Sequence, residues 1–111
     1  MNFQVIRNLA AERHHVYSSL PMTRGAVGYR IGNISDAIKG AATAAGIGYN
    51  GDFREARLRL ASEVFQKRIT SYNDLTNGEL DALYYWATTQ GLELKNWLIQ
   101  NYGKQDSFLE D

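Results

Sequence analysis

The chain contains no cysteine, which removes disulfide frameworks and thiolate metal sites. It contains one proline, Pro21, so only one position is barred from a helix interior on that ground. No apolar run approaches the roughly 20 residues that span a bilayer. The start, Met1 to Arg7, lacks a basic stretch leading into an apolar one, so no secretory leader is read there. Together these absences lead to the expectation of a cytoplasmic protein without membrane contact. What is present is ordinary for one globular domain: 111 residues, 44% hydrophobic and 22% charged, enough for a single modest core.

The formal net charge is zero, but it is unevenly laid out. Residues 1–68 hold ten Lys or Arg against five Asp or Glu, a net of +5, and residues 69–111 hold two against seven, a net of −5. A basic portion followed by an acidic one has two readings. In one, the basic portion meets a polyanion. In the other, the two portions attract each other within one fold.

Outside residues 22–51 hydrophobic spacing is helical, and the fold class expected is all-α: one domain over 1–111, a bundle of four to five helices with a glycine-rich irregular segment at about 22–51. Phe3, Ile6, Leu9, Ala10, Val16, Tyr17 and Leu20 recur every three to four positions and predict a helix over 3–20, closed by Pro21. Arg13 falls on that stripe, where its stem can lie along the apolar face. His14 and His15 are adjacent, so they point about 100° apart and cannot grip one metal ion from one face. Glu12 and His15 have the Glu-x-x-His spacing of carboxylate-bridged metal bundles, but no second copy accompanies it, and both histidines are read as solvated.

Seven glycines fall between residues 22 and 51, and an irregular segment is expected there. Val27, Tyr29 and Ile31 alternate as a short extended piece does. A helix over 34–45, capped by Asn33 or Ser35, would pack through Ile34, Ile38, Ala41, Ala42 and Ala45 and stop at Gly46. Gly46-Ile47-Gly48-Tyr49-Asn50-Gly51 spells the dinucleotide fingerprint. A helix precedes it instead of a strand, and no parallel-sheet pattern surrounds it, so a nucleotide cofactor is rejected. No other cofactor or metal is expected.

Asp52 and Glu55 have capping-box spacing and open a helix over 52–68. Its apolar residues form two groups, with Arg54, Arg57 and Arg68 projecting between them. Such a stripe either lines a groove for phosphates or carboxylates, or pairs with Asp74, Glu79, Asp81 or Glu93. The best-specified stretch is Ile69 to Leu83. Thr76 and Glu79 form a capping box, and Leu75 and Leu80 a hydrophobic staple. The helix that follows runs over 77–90 through Leu80, Leu83, Tyr84 and Ala87, with Gly91 just past its end. A last helix over 92–102 turns Leu94, Trp97, Leu98 and Ile99 inward. The acidic tail, 104–111, is expected to fray.

Ser71-Tyr72-Asn73-Asp74-Leu75-Thr76-Asn77-Gly78-Glu79-Leu80, continued to Leu83 and with Gly91 after the helix, resembles a segment of the phage Mu-type regulators, the Mor transcription activators. Similar segments end some phage recombination proteins. The resemblance covers about 25 residues and no catalytic one. It implies a phage or mobile-element accessory protein acting near DNA.

No nucleophile elbow, Walker loop or metal set is found, so a non-enzymatic protein is expected. The first reading is nucleic-acid association, DNA or RNA, through Arg24, Arg30, Lys39, Arg54, Arg57 and Arg68. The alternative is a protein–protein adaptor or self-associating module that uses Tyr85 and Trp86, since Tyr84-Tyr85-Trp86 cannot all face one core and Tyr and Trp are favoured interface anchors.

Overall fold

The computed structural model describes residues 2–48 and 53–103. Within them lie five α-helices: α1 Gln4–Ser19, α2 Arg24–Ala44, α3 Phe53–Phe65, α4 Asn77–Thr89 and α5 Gly91–Leu98. A 3₁₀ turn, Tyr72–Asp74, precedes α4, and a π-helical turn, Ile99–Gly103, follows α5. No strand occurs among the described residues, and no helix there is long and apolar enough to cross a membrane. The all-α expectation holds.

The segment expected to be irregular is mostly helix. α2 starts at Thr23, whose hydroxyl accepts from the Ala26 amide at 3.1 Å, and not at Asn33 or Ser35. It runs through four glycines at roughly 1 kcal/mol each relative to alanine. What outweighs them is a long apolar stripe. Ile34, Ile38 and Ala42 are buried, and Val27 and Ile31 pack against the same core one and two turns earlier. The alternation of Val27, Tyr29 and Ile31 is therefore no strand. Tyr29 points outward, and its neighbours belong to the helical stripe. Gly46 does end α2. Its φ of 71° lets Ile47 donate back to the Ala42 carbonyl at 3.0 Å. The first half of the glycine fingerprint is thus a helix stop. Residues 49–52, which hold its second half and the Asp52 half of the expected capping box, lie outside the described residues, as does the tail 104–111.

α3 ends at Phe65, three residues before expected, because Gln66 takes a left-handed φ of 55°. The chain then reaches the stretch that opens α4. Ser71 and Asp74 form a first capping box around the 3₁₀ turn, which the sequence reading missed. Thr76 and Glu79 form the second as expected: Thr76 N donates to Glu79 Oε1 at 2.8 Å, and Glu79 N to Thr76 Oγ1 at 3.1 Å. Leu75 and Leu80 are both buried, as a staple requires. Gly91 stands just past the Gln90 cap of α4, as expected, and at the same time opens α5, so that Gln90 alone separates the two helices. α5 stops at Leu98, and Ile99 is exposed.

α1 packs chiefly on α4, and α2 bridges α3, α4 and α5. The α1–α4 crossing is close enough to need a glycine. A Cβ on Gly78 would lie 2.7 Å from the Ala10 carbonyl oxygen and 2.9 Å from the His14 amide nitrogen. Both are backbone atoms, which cannot swing aside. One face of α1, with Phe3, Ile6 and Ala10, is buried here. Val16 and Leu20, expected on that face, stand outward at 57% and 75% exposure.

Candidate functional site

The cations of the basic portion are mostly engaged inside the fold. Asp81, in the second turn of α4, is 3% exposed. It accepts from Arg13 Nη1 of α1 at 2.7 Å and from Arg30 Nε of α2 at 2.8 Å. A buried carboxylate needs such partners, because leaving water uncompensated costs several kcal/mol. Burial lowers the Arg30 pKa, but the hydrogen bond and charge of Asp81 outweigh it and hold the guanidinium above its ordinary value. Arg30 also stacks over the Tyr84 ring, 5.4 Å from its centroid. Lys67 donates to Glu79 at 2.9 Å. Arg7 donates to the Val64 carbonyl at 2.8 Å, tying α1 to the end of α3. The two charged portions do attract each other within one fold.

The arginines of α3 do not make the stripe the sequence suggested. Arg57 is half-buried; its Nη1 donates to Ser35 Oγ at 2.8 Å, its guanidinium lies 5.0 Å from the Tyr72 ring centroid, and its Nε is buried without a hydrogen-bond partner. Tyr72 in turn donates its hydroxyl to the Arg57 carbonyl, and burial pushes that phenol far above its ordinary pKa. Arg54 is exposed and donates to the Thr70 carbonyl at 3.2 Å, and Arg68 is exposed beyond the helix end. The acids expected to pair with this stripe are taken elsewhere. Asp81 holds Arg13 and Arg30, Glu79 holds Lys67, Glu93 accepts from Trp86 Nε1 at 2.9 Å, and Asp74 caps the turn. Arg24 and Lys39 are exposed on α2.

Of the aromatic pair, Tyr85 is 50% exposed and Trp86 only 5%. Trp86 is a core residue, edge-on to Phe3 at 5.8 Å between ring centroids, so it is corrected from an exposed anchor to the support beneath one. The support matters because an open groove of about 580 Å³ lies there. Val5, Ile6 and Leu9 of α1 form one wall, Tyr85 and Trp86 of α4 the other. Gln90, Glu93, Asn96 and Gln100 supply a polar rim. Arg13 lies 5.9 Å from the Tyr85 ring centroid and so borders the same face. A second groove of about 570 Å³ runs between α2 and α4–α5, walled mainly by small residues such as Ala37, Gly40 and Ala41.

Sequence reasoning missed Val5, which breaks the helical stripe and reads as an isolated surface valine. It also missed Asp81 as a junction of two helices: on the wheel Asp81 falls about 110° from the stripe of Leu80, Leu83, Tyr84 and Ala87, and only the placement of α1 and α2 buries that flank. Both histidines of α1 are exposed, and no group of three or more metal-ligating side chains occurs among the described residues. Tyr102 donates to Glu55 at 2.9 Å, and burial together with that carboxylate pushes its phenol up to about 12. No family model, no curated protein and no solved structure matches this chain.

Proposed function

We propose that this protein is a non-enzymatic interaction module that docks an apolar helical surface on the groove between α1 and α4–α5. One observation carries the reading: a groove with an apolar floor and a polar rim, bordered by the half-exposed Tyr85 and the 68%-exposed Val5. Sites for amphipathic helices have this character, with apolar anchors at helical spacing entering an apolar trough. Tyr85 has the rigid, two-torsion side chain that serves as an anchor at low entropic cost.

Peptide display against the folded chain tests it. The expected result is enrichment of helical peptides with apolar residues at i, i+4 and i+7, whose binding weakens at least tenfold for Tyr85→Ala. Failure to enrich any peptide, or binding indifferent to Tyr85→Ala, contradicts the reading.

The second reading, a phage or mobile-element accessory protein that binds DNA or RNA, draws on the resemblance of residues 71–83 and on the exposed Arg24, Lys39, Arg54 and Arg68. It predicts affinity for a mixed-sequence duplex or single strand that falls steeply between about 50 and 200 mM salt. Arg30 and Arg57 would contribute little to such a surface, since their guanidinium groups face Asp81, Ser35 and Tyr72.

A further inference from the structure

We infer that the helix docked at this groove belongs to a different protein and is acidic: one turn beyond its apolar anchors it carries a carboxylate that meets Arg13. The inference rests on the groove reading above and names the chemistry of its partner.

The apolar floor would accept any amphipathic helix, and the charges around it narrow the choice. Asn2, Gln90, Asn96 and Gln100 bring no charge to the rim. Glu93 is the one charged side chain among the described residues that line the groove, and it accepts from Trp86 Nε1 at 2.9 Å. Arg13 brings the opposite sign. At 100° per residue, Asn2, Val5, Ile6 and Leu9 span an arc of about 100° on α1. Arg13 falls about 30° from the middle of that arc, whereas Glu12 falls about 70° from it and outside. Arg13 also stands one turn past Leu9, about 6 Å along the axis, with its guanidinium 5.9 Å from the Tyr85 ring centroid on the facing wall. The groove therefore has an acid on its α5 side and a cation at its α1–α4 end. A carboxylate on the partner is repelled by the first and attracted by the second.

The positive charge of Arg13 is only partly compensated. Asp81 is one carboxylate shared by two guanidinium groups, 2.7 Å from Arg13 Nη1 and 2.8 Å from Arg30 Nε, so the cluster is net positive. Arg30 turns its other donors into the fold, Nη1 to the Ala26 carbonyl at 3.1 Å and Nη2 to the Tyr17 hydroxyl at 3.5 Å. Arg13 makes no hydrogen bond among the described residues besides the one to Asp81, and its side chain is 38% exposed. Its Nε and Nη2 remain as a pair of parallel donors, the edge of a guanidinium that grips a carboxylate with two bonds. A second copy of α1 does not supply that carboxylate, because a two-fold antiparallel pair sets Arg13 against Arg13 and Glu12 against Glu12. The complement is a helix with apolar residues at i, i+4 and i+7 and an Asp or Glu at i+11, or at i−4 if it runs the opposite way. Such a rim pair adds modestly to affinity and more to the choice of partner.

Peptide display with every position outside the apolar triplet randomised, followed by titration of the enriched peptides against the full chain, tests this. Enriched peptides should carry an acid at i+11 or i−4, and exchanging it for Gln should weaken binding about threefold to fivefold, as a partly exposed pair does. Against Arg13→Gln the same exchange should make no difference. Salt gives a reading that leaves the fold untouched: raising it from about 50 to 500 mM should abolish the preference of wild type for the acid over Gln. Enriched peptides with no acid at either position, or a preference that salt leaves unchanged, overturn the inference, and dependence on Tyr85 then still supports the groove reading. A chain that dimerises by itself and becomes monomeric on Tyr85→Ala puts a second copy in the groove and overturns it too. Enrichment of no peptide overturns both readings.

Discussion

Asp81 concentrates the charge logic of the protein in one side chain. It is the only buried charged residue among those described, and it joins α1 and α2 to α4 through Arg13 and Arg30. Asp81→Asn should cost about 3 kcal/mol in a urea melt, because removing one member of a buried ion pair strands the other; the partial exposure of Arg13 keeps the loss at the low end. Lys67→Ala, which removes an exposed pair with Glu79, should cost under about 1 kcal/mol. Equal losses would contradict the weight given to burial. Asp74 reports on pH. Its carboxylate accepts from the Thr70 amide and hydroxyl and from the Ser71 amide, which hold its pKa below the ordinary 3.8. A depressed carboxylate contributes stability that is present above its unfolded pKa and lost as pH falls through its folded one. Wild type should therefore lose more stability between pH 5 and pH 2 than Asp74→Asn does. A variant that loses as much as wild type over that range would show that the turn is not acid-sensitive through this residue.

At the scale of elements, glycine has opposite meanings at different positions. Gly78→Ala forces a Cβ into the backbone of α1 and should destabilise by about 2 kcal/mol. In α2, a Cβ on Gly28 or Gly32 meets nothing within 4 Å, so Gly28→Ala and Gly32→Ala should each stabilise by about 0.5 to 1 kcal/mol. Thermal melts of the three variants check both signs. Sequence made α1, α3 and α4 legible, because caps and 3.6-residue spacing are local signals. The capping box at Thr76 and Glu79 was readable to the atom. α2 was not, because glycine density says what a backbone can do and not what the surrounding core makes it do; Val27 and Ile31 join the stripe of Ile34 and Ile38 only when α4 and α5 are there to receive it. The candidate site was less legible still. Tyr85 stood out by composition, but assigning Trp86 to the core needed the position of Phe3, and finding the groove needed the angle between α1 and α4. Val16 and Leu20 were misassigned because α1 has two apolar flanks, and spacing alone does not say which one the rest of the chain covers.

For the whole molecule, the zero net charge is the sum of two portions that meet across α1, α2 and α4, leaving Arg24, Lys39, Arg54 and Arg68 as the exposed cations of the set first considered for nucleic acid. The uncovered feature that remains is apolar: one flank of α1 and the groove beside it. The most direct measurement is a methyl-resolved NMR spectrum of the labelled chain titrated with an amphipathic helical peptide enriched against it. The account predicts that the methyl signals of Val5 and Leu9, which line the groove, move as peptide is added, while those of the buried Ile38, Leu60 and Val64 stay fixed. Signals of Val5 and Leu9 that hold still at every peptide concentration, with shifts appearing instead beside Arg24, Lys39 and Arg68 when a DNA duplex is added, would contradict it.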